Sequence, residues 1–181
     1  MNTLTPSTLY ILLQSRSSPS TFHWSLYLTN THPPFTTGTK HDLTHPPSPS
    51  PDLDPRTWTY SSFPIDLLSP NAASPAIAAV KVDVMDDAEM LREAMEECLG
   101  NVPRGSYSSR FREEMSCRVW VMEALWELDQ GGFIDLGGRV NVLGIQGLER
   151  EVVRAGLVAM WRGDFGVYEL GEEGVGLREV G

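Results

Sequence analysis

Basic residues are scarce in this chain of 181 residues, which has 14 lysines and arginines against 24 aspartates and glutamates. The net charge of −10 argues against binding to nucleic acid or to an anionic membrane surface through a basic face. Long apolar runs are also missing, and no window approaches the roughly 18 apolar residues that a membrane-spanning helix requires. The N-terminal run "LYILL" is too short for a signal peptide, so we expect a cytoplasmic protein with no membrane span.

Cysteine is nearly absent too, because Cys98 and Cys117 are the only two and are too few for a disulfide framework. The spacings CxxC and HExxH, which are typical of metal sites, do not occur, and we expect no metal or other cofactor. In a reducing cytoplasm both thiols stay free for chemistry. The length and a hydrophobic content of 41% suffice for one core, so residues 1–181 are predicted to form a single domain.

Strand patterns occupy the first part of the chain. Residues 30–56 are predicted to be a proline-rich loop that contains one short strand at 38–43. Apolar runs and alternations predict further strands at 7–14, 22–29, 57–63 and 76–84.

Helical patterns occupy the second part. They predict three helices, over 86–99, within 108–132 and over 146–163. The tail, 164–181, is acidic and glycine-rich, with one predicted strand at 165–170. Strands early and helices late indicate an α+β fold, with a small antiparallel sheet packed against helices.

The stretch "FHWSLYLT", residues 22–29, places a histidine at the start of an alternating strand. The apolar residues of this alternation are predicted to face a core, so His23 points to the opposite face of the strand. His23 is either a residue that fills the strand end or the base of a catalytic pair.

Cys117 lies on a predicted helix, and the sequence allows two interpretations of it. Its helical neighbours at spacings of 3, 4, 7, 8 and 11 residues are apolar, which is typical of a packing cysteine on a buried stripe. Ser116 is an acceptable N-cap, however, and would place Cys117 in the first turn, where the helix dipole stabilises a thiolate. If Ser109 is the cap instead, Cys117 lies two turns inside the helix. Cys98 is predicted near the end of its helix, where the dipole disfavours a thiolate.

All four histidines fall between residues 23 and 45. His41 is predicted on the short strand, where it can pair beside the strand of His23. Two histidines on adjacent strands facing Cys117 make a Cys–His–His arrangement, in which one imidazole takes the thiol proton and the second orients the first. The same three residues are a zinc-site candidate, but zinc normally has a further ligand at short spacing.

The order "FHWSLYLT", a second histidine and then "SCRVWVMEAL" resembles the lecithin:retinol acyltransferase-like group of circularly permuted papain-like thiol enzymes. It also resembles small proteins of filamentous fungi with Cys-x-x-Trp-Val at a helix start. The resemblance implies a permuted papain-like fold in which Cys117 is the nucleophile, His23 the base and His41 the orienting group. Ser116 stands where the family has an asparagine.

The resemblance also implies cysteine-dependent acyl transfer, or hydrolysis of an amide or ester, through a thioester intermediate. We expect the backbone N–H of Cys117 to stabilise the oxyanion. Trp24 and Trp120 flank the motif residues and are candidate walls of the substrate pocket, although an ordinary core position explains each of them as well.

The acidic composition favours a neutral or cationic small molecule or a peptide as the substrate, with no nucleic acid partner. The alternative interpretation is a non-catalytic binding or interaction module of the same fold, in which the cysteine and histidines are packing residues. The sequence indicates no oligomeric state.

Overall fold

The computed structural model describes residues 4–16, 21–45, 58–69, 75–136, 142–170 and 177–179. Three helices are present in this part of the chain, α1 (Ala88–Asn101), α2 (Cys117–Gln130) and α3 (Val142–Arg162). The strands are β1 (Thr8–Ser15), β2 (Phe22–Thr29), β3 (Thr37–Thr44), β4 (Thr59–Asp66), β5 (Ala76–Val84), β6 (Tyr107–Ser108), β7 (Glu113–Glu114), β8 (Gly166–Leu170) and β9 (Leu177–Glu179).

One seven-stranded sheet organises the described residues, in the order β4-β3-β2-β1-β5-β8-β9. Every neighbouring pair is antiparallel except β5 and β8, which run parallel and are separated in the chain by all three helices. The first three strands form a meander in which Gln14 pairs with His23 and Ser25 pairs with Asp42. This register places the polar face of β2 beside the polar face of β3.

The main core lies between the sheet and the helices. Sheet residues such as Leu26 and Leu28 pack there with α2 residues such as Trp120 and Leu125, and all four side chains are almost fully buried. A second, smaller cluster around Tyr10 and Tyr27 lies on the other face of the sheet. Both faces of the central strands are therefore covered, which explains why β1 is apolar on both faces.

The N-terminus of α2 is set by a serine cap. Ser116 has an extended backbone, φ −150° and ψ 168°, and its side chain accepts a hydrogen bond from the Val119 N–H at 3.2 Å. The residues before it form the short β6–β7 hairpin rather than a helix. Within this hairpin the Ser108 hydroxyl accepts a hydrogen bond from the Phe111 N–H at 3.0 Å and donates one to the buried Glu123 at 2.6 Å. Cys117 is thus the first helical residue, which decides between the two caps that the sequence allowed.

The predicted α+β class is confirmed, with a mostly antiparallel sheet and three helices. The short strand expected at 38–43 is longer, Thr37–Thr44, and the second helix begins only at Cys117. The tail contains β9 in addition to the expected strand, because Leu177–Glu179 pairs with β8. Within the described residues, no helix combines the length and apolar character needed to cross a membrane.

Candidate active site

The sulfur of Cys117 lies at the end of the sheet where β1 finishes and β2 begins. Its side chain hydrogen-bonds with the imidazole of His23, and the backbone of Trp24 provides a second hydrogen bond to it. The Nη2 atom of Arg16, immediately after β1, lies 3.2 Å from Sγ. Cys117 is only 3% exposed, so the sulfur lies at the bottom of the site.

His23 connects the sulfur to a carboxylate. Its Nε2 atom lies 2.6 Å from Oδ1 of Asp42, and an ionised carboxylate only accepts, so Nε2 carries a proton that it donates to Asp42. Nδ1 is then the ring atom left for the sulfur, and it lies 3.2 Å from the same Arg16 Nη2. This tautomer leaves a basic nitrogen facing the thiol.

The second carboxylate oxygen of Asp42 also has a hydrogen-bond partner. Its Oδ2 accepts a hydrogen bond at 2.6 Å from Nζ of Lys40, which also donates to Oε1 of Gln14 at 2.8 Å. Both charged side chains are buried, so their pairing compensates two charges that would otherwise be costly away from water. Burial raises the pKa of Asp42, but the hydrogen bond from His23 and the charge of Lys40 outweigh it, and the pKa falls below its usual range.

The pKa values of the sulfur and the imidazole move toward an ion pair. Burial lowers the pKa of His23, but hydrogen bonds with Asp42 and Cys117 more than reverse this effect, and the pKa rises from 6.5 to about 9. Burial raises the pKa of Cys117, but hydrogen bonds with His23 and the Trp24 backbone, and then the charges of His23 and Arg16, lower it below its ordinary value. Both shifts favour the thiolate–imidazolium pair over an ordinary thiol beside an ordinary imidazole.

Cys98 provides a contrast within the same chain. It is a free thiol near the end of α1, and burial together with the charge of Glu127 raises its pKa. The pKa values of the two thiols are thus shifted in opposite directions, in agreement with the helix positions predicted from the sequence.

The structure does not bring His41 to this site. His41 is fully buried and its Nδ1 lies 3.0 Å from the hydroxyl of Tyr60, with the two rings stacked. His41 lies immediately before Asp42 on β3, so the two side chains point to opposite faces of the sheet. Burial and then the charge of Arg92 lower the pKa of His41 to about 4, which keeps the ring neutral. The group that orients His23 is Asp42, and the assignment of that role to His41 is corrected.

The two candidate pocket walls are core residues. Trp24 is 3% exposed and Trp120 is 0% exposed, and both pack in the cluster between the sheet and the helices. Their side chains do not line an open cleft, although the backbone of Trp24 reaches the sulfur.

Three residues of the site were not predicted from the sequence: Arg16, Lys40 and Asp42. The signal for Asp42 was the alternation of β3, since the apolar Leu43 belongs with His41 on the core face and leaves Lys40 and Asp42 on the polar face. Arg16 had no such signal, because it follows the strand and its contact with Cys117 spans 101 positions.

No group of three or more histidine, cysteine or acidic residues is placed to hold a metal ion among the residues that the structure describes. Comparisons with protein-family models, with curated proteins and with solved structures find no match to this chain.

Proposed function

We propose that this protein is a cysteine-dependent hydrolase or acyltransferase that acts on an amide or ester of a small molecule or peptide. The observation that carries the proposal is the continuous chain of contacts from the sulfur of Cys117 through His23 to Asp42. A circularly permuted papain-like fold is part of the same proposal. Its support is the chain order, with the base on the early strand β2 and the nucleophile at the start of the later helix α2.

In the first half of the reaction, the Cys117 thiolate attacks the substrate carbonyl and forms a carbon–sulfur bond. The oxyanion that results develops beside the N-terminus of α2. The N–H groups of Cys117 and Arg118 have no acceptor within the helix, while Ser116 already occupies that of Val119. These two N–H groups are the proposed oxyanion donors.

Proton transfer then depends on His23. The proton on Nδ1 passes to the leaving amine or alkoxide as the carbon–heteroatom bond breaks, which leaves a thioester on Cys117 and a neutral imidazole. Water or an acceptor amine next attacks the thioester, and Nδ1 takes its proton. The carbon–sulfur bond then breaks, which releases the acid or the new amide and restores the Cys117 thiolate beside imidazolium. Asp42 keeps Nε2 protonated throughout, so that Nδ1 is always the exchanging atom.

The alternative is a non-catalytic binding module, and one observation favours it. Cys117 is 3% exposed and part of the main hydrophobic cluster, as a packing cysteine would be. The lowered pKa of its thiol is the property that a packing role does not require.

Alkylation of the folded protein separates the two functions. We expect brief iodoacetamide treatment near pH 6.5, read by peptide mass spectrometry, to label Cys117 well before Cys98, which serves as the internal control. With p-nitrophenyl acetate, we expect a burst of nitrophenol and an acetylated Cys117 peptide. The burst should persist in Cys98→Ala and disappear in Cys117→Ala, a small change in volume that should leave the fold intact. Equal labelling of both thiols, or a burst in Cys117→Ala, would refute the covalent mechanism.

A further inference from the structure

Arg16 holds an unusual position at this site. A single guanidinium nitrogen, Nη2, lies 3.2 Å from the sulfur of Cys117 and 3.2 Å from Nδ1 of His23. Arg16 is exposed, unlike the buried Cys117. A substrate group bound at the sulfur would therefore lie beside this guanidinium.

Among the residues that the structure describes, no carboxylate forms an ion pair with Arg16. Other arginines in the structure are paired with glutamates: Arg110 contacts Glu123 and Glu127, and Arg118 contacts Glu113 and Glu149.

Arg16 differs, since no acidic side chain within the described residues forms an ion pair with it. Inside the site the thiolate and the imidazolium balance each other, as do Asp42 and Lys40. One positive charge remains, on Arg16.

This excess charge matters most after the sulfur has reacted. In the resting site the thiolate accepts a hydrogen bond from Arg16, but acylation makes the sulfur neutral and removes that partner. A carboxylate one or two bonds from the attacked carbon lies within about 4 Å of the sulfur by ordinary bond lengths, which is within reach of the same guanidinium. The planar guanidinium fits a carboxylate with two parallel hydrogen bonds.

We propose that Arg16 determines specificity by binding a carboxylate on the substrate next to the carbonyl that Cys117 attacks. This inference rests on the proposed function and names its substrate class. It departs from the expectation drawn from the net charge of −10, because charges farther away than about 10 Å are largely screened by salt while Arg16 touches the reacting atom.

Two alkylating reagents of equal size test the proposal. Iodoacetate and iodoacetamide both lose iodide as the sulfur forms a thioether bond, but only iodoacetate carries a carboxylate one bond from the attacked carbon. The measurement is the ratio of their rate constants at Cys117, in a Cys98→Ser background near pH 7. We expect the Arg16→Met variant to lower the iodoacetate-to-iodoacetamide ratio roughly threefold to tenfold, the range expected for one partly exposed charge pair.

Control variants isolate the cause. Arg16→Lys keeps the charge but not the planar fork, so it should restore part of the ratio. Arg154 is an exposed arginine of α3 whose Nη1 lies 4.0 Å from Oε2 of Glu151. The Arg154→Met variant should leave the ratio unchanged. The difference between Arg16→Met and the unmodified chain should shrink at high salt.

The outcomes separate this inference from the function beneath it. If Arg16→Met slows both reagents by the same factor, Arg16 only stabilises the thiolate, and the carboxylate proposal is wrong while the thiol mechanism stands. If Cys117 reacts no faster with either reagent than an ordinary thiol, the proposed function itself fails.

Discussion

Replacing Asp42 by asparagine tests the central contact of the site. Asparagine keeps the shape of the side chain but removes the negative charge that stabilises imidazolium. The hydrogen bond with Asp42 is the largest of the effects that raise the pKa of His23, and the Asp42 charge adds to it. Without the negative charge, burial is opposed mainly by the contacts with Cys117, so the pKa of His23 should fall from about 9.

The size of the effect follows from that shift. Each unit by which the pKa of His23 falls corresponds to about 1.4 kcal/mol of lost preference for imidazolium. The N-terminus of α2 and Arg16 still support the thiolate, so only part of this energy is lost from the sulfur. We therefore expect the alkylation rate of Cys117 at pH 7 to fall on the order of 10- to 100-fold, which corresponds to one or two pKa units.

The assay is the rate of iodoacetamide alkylation from pH 4 to 10, in a Cys98→Ser background that leaves one thiol. The pH at which the rate reaches half its maximum should lie below that of a free thiol and move upward in Asp42→Asn. Asp66→Asn, an exposed carboxylate on β4, is the matched control and should leave the profile unchanged. Circular dichroism should verify that Asp42→Asn is folded, because the variant leaves Lys40 buried without its carboxylate. A profile that superposes on that of the unmodified chain would show that Asp42 does not tune the site.

Two further predictions follow from the neighbours of Asp42 on β3. His41 has a folded pKa of about 4 against 6.5 when unfolded, so the unfolded chain gains the proton first and stability should fall by about 3 kcal/mol as the pH drops from 6.5 to 4. His41→Phe should remove most of this loss, measured as the difference between the free energies of urea unfolding at pH 7 and pH 4.5. The pH profile of Cys117 alkylation should stay unchanged in this variant, and a shifted profile would instead assign His41 to the catalytic site. Lys40→Met should cost roughly 3 kcal/mol at pH 7, because it leaves a buried carboxylate without its cation. In the same variant the pKa of Asp42 should rise, so the stability that its ionised carboxylate contributes should be lost at a higher pH during acidification. A dependence of stability on acidic pH that matches the unmodified chain would contradict the pairing of Lys40 with Asp42.

Local sequence patterns predicted most of the secondary structure. Strand β2 occupies residues 22–29 and β5 occupies residues 76–84, both as the alternation and the apolar run predicted. Strand β9 escaped prediction because three residues are too short for a period-2 signal and depend on pairing with β8. The hairpin before α2 escaped prediction because its strands, of two residues each, are too short for a period-2 signal.

The sequence by itself determined the α+β class and the face of β2 on which His23 lies, because side-chain periodicity is a local property. Tertiary structure alone decided which residue of β3 meets His23, because a strand sends neighbouring side chains to opposite faces and only the register selects Asp42 over His41. It also decided that Arg16 reaches the sulfur, since that contact joins chain segments 101 positions apart. Such a contact exists only after the sheet has formed and α2 has packed against its end.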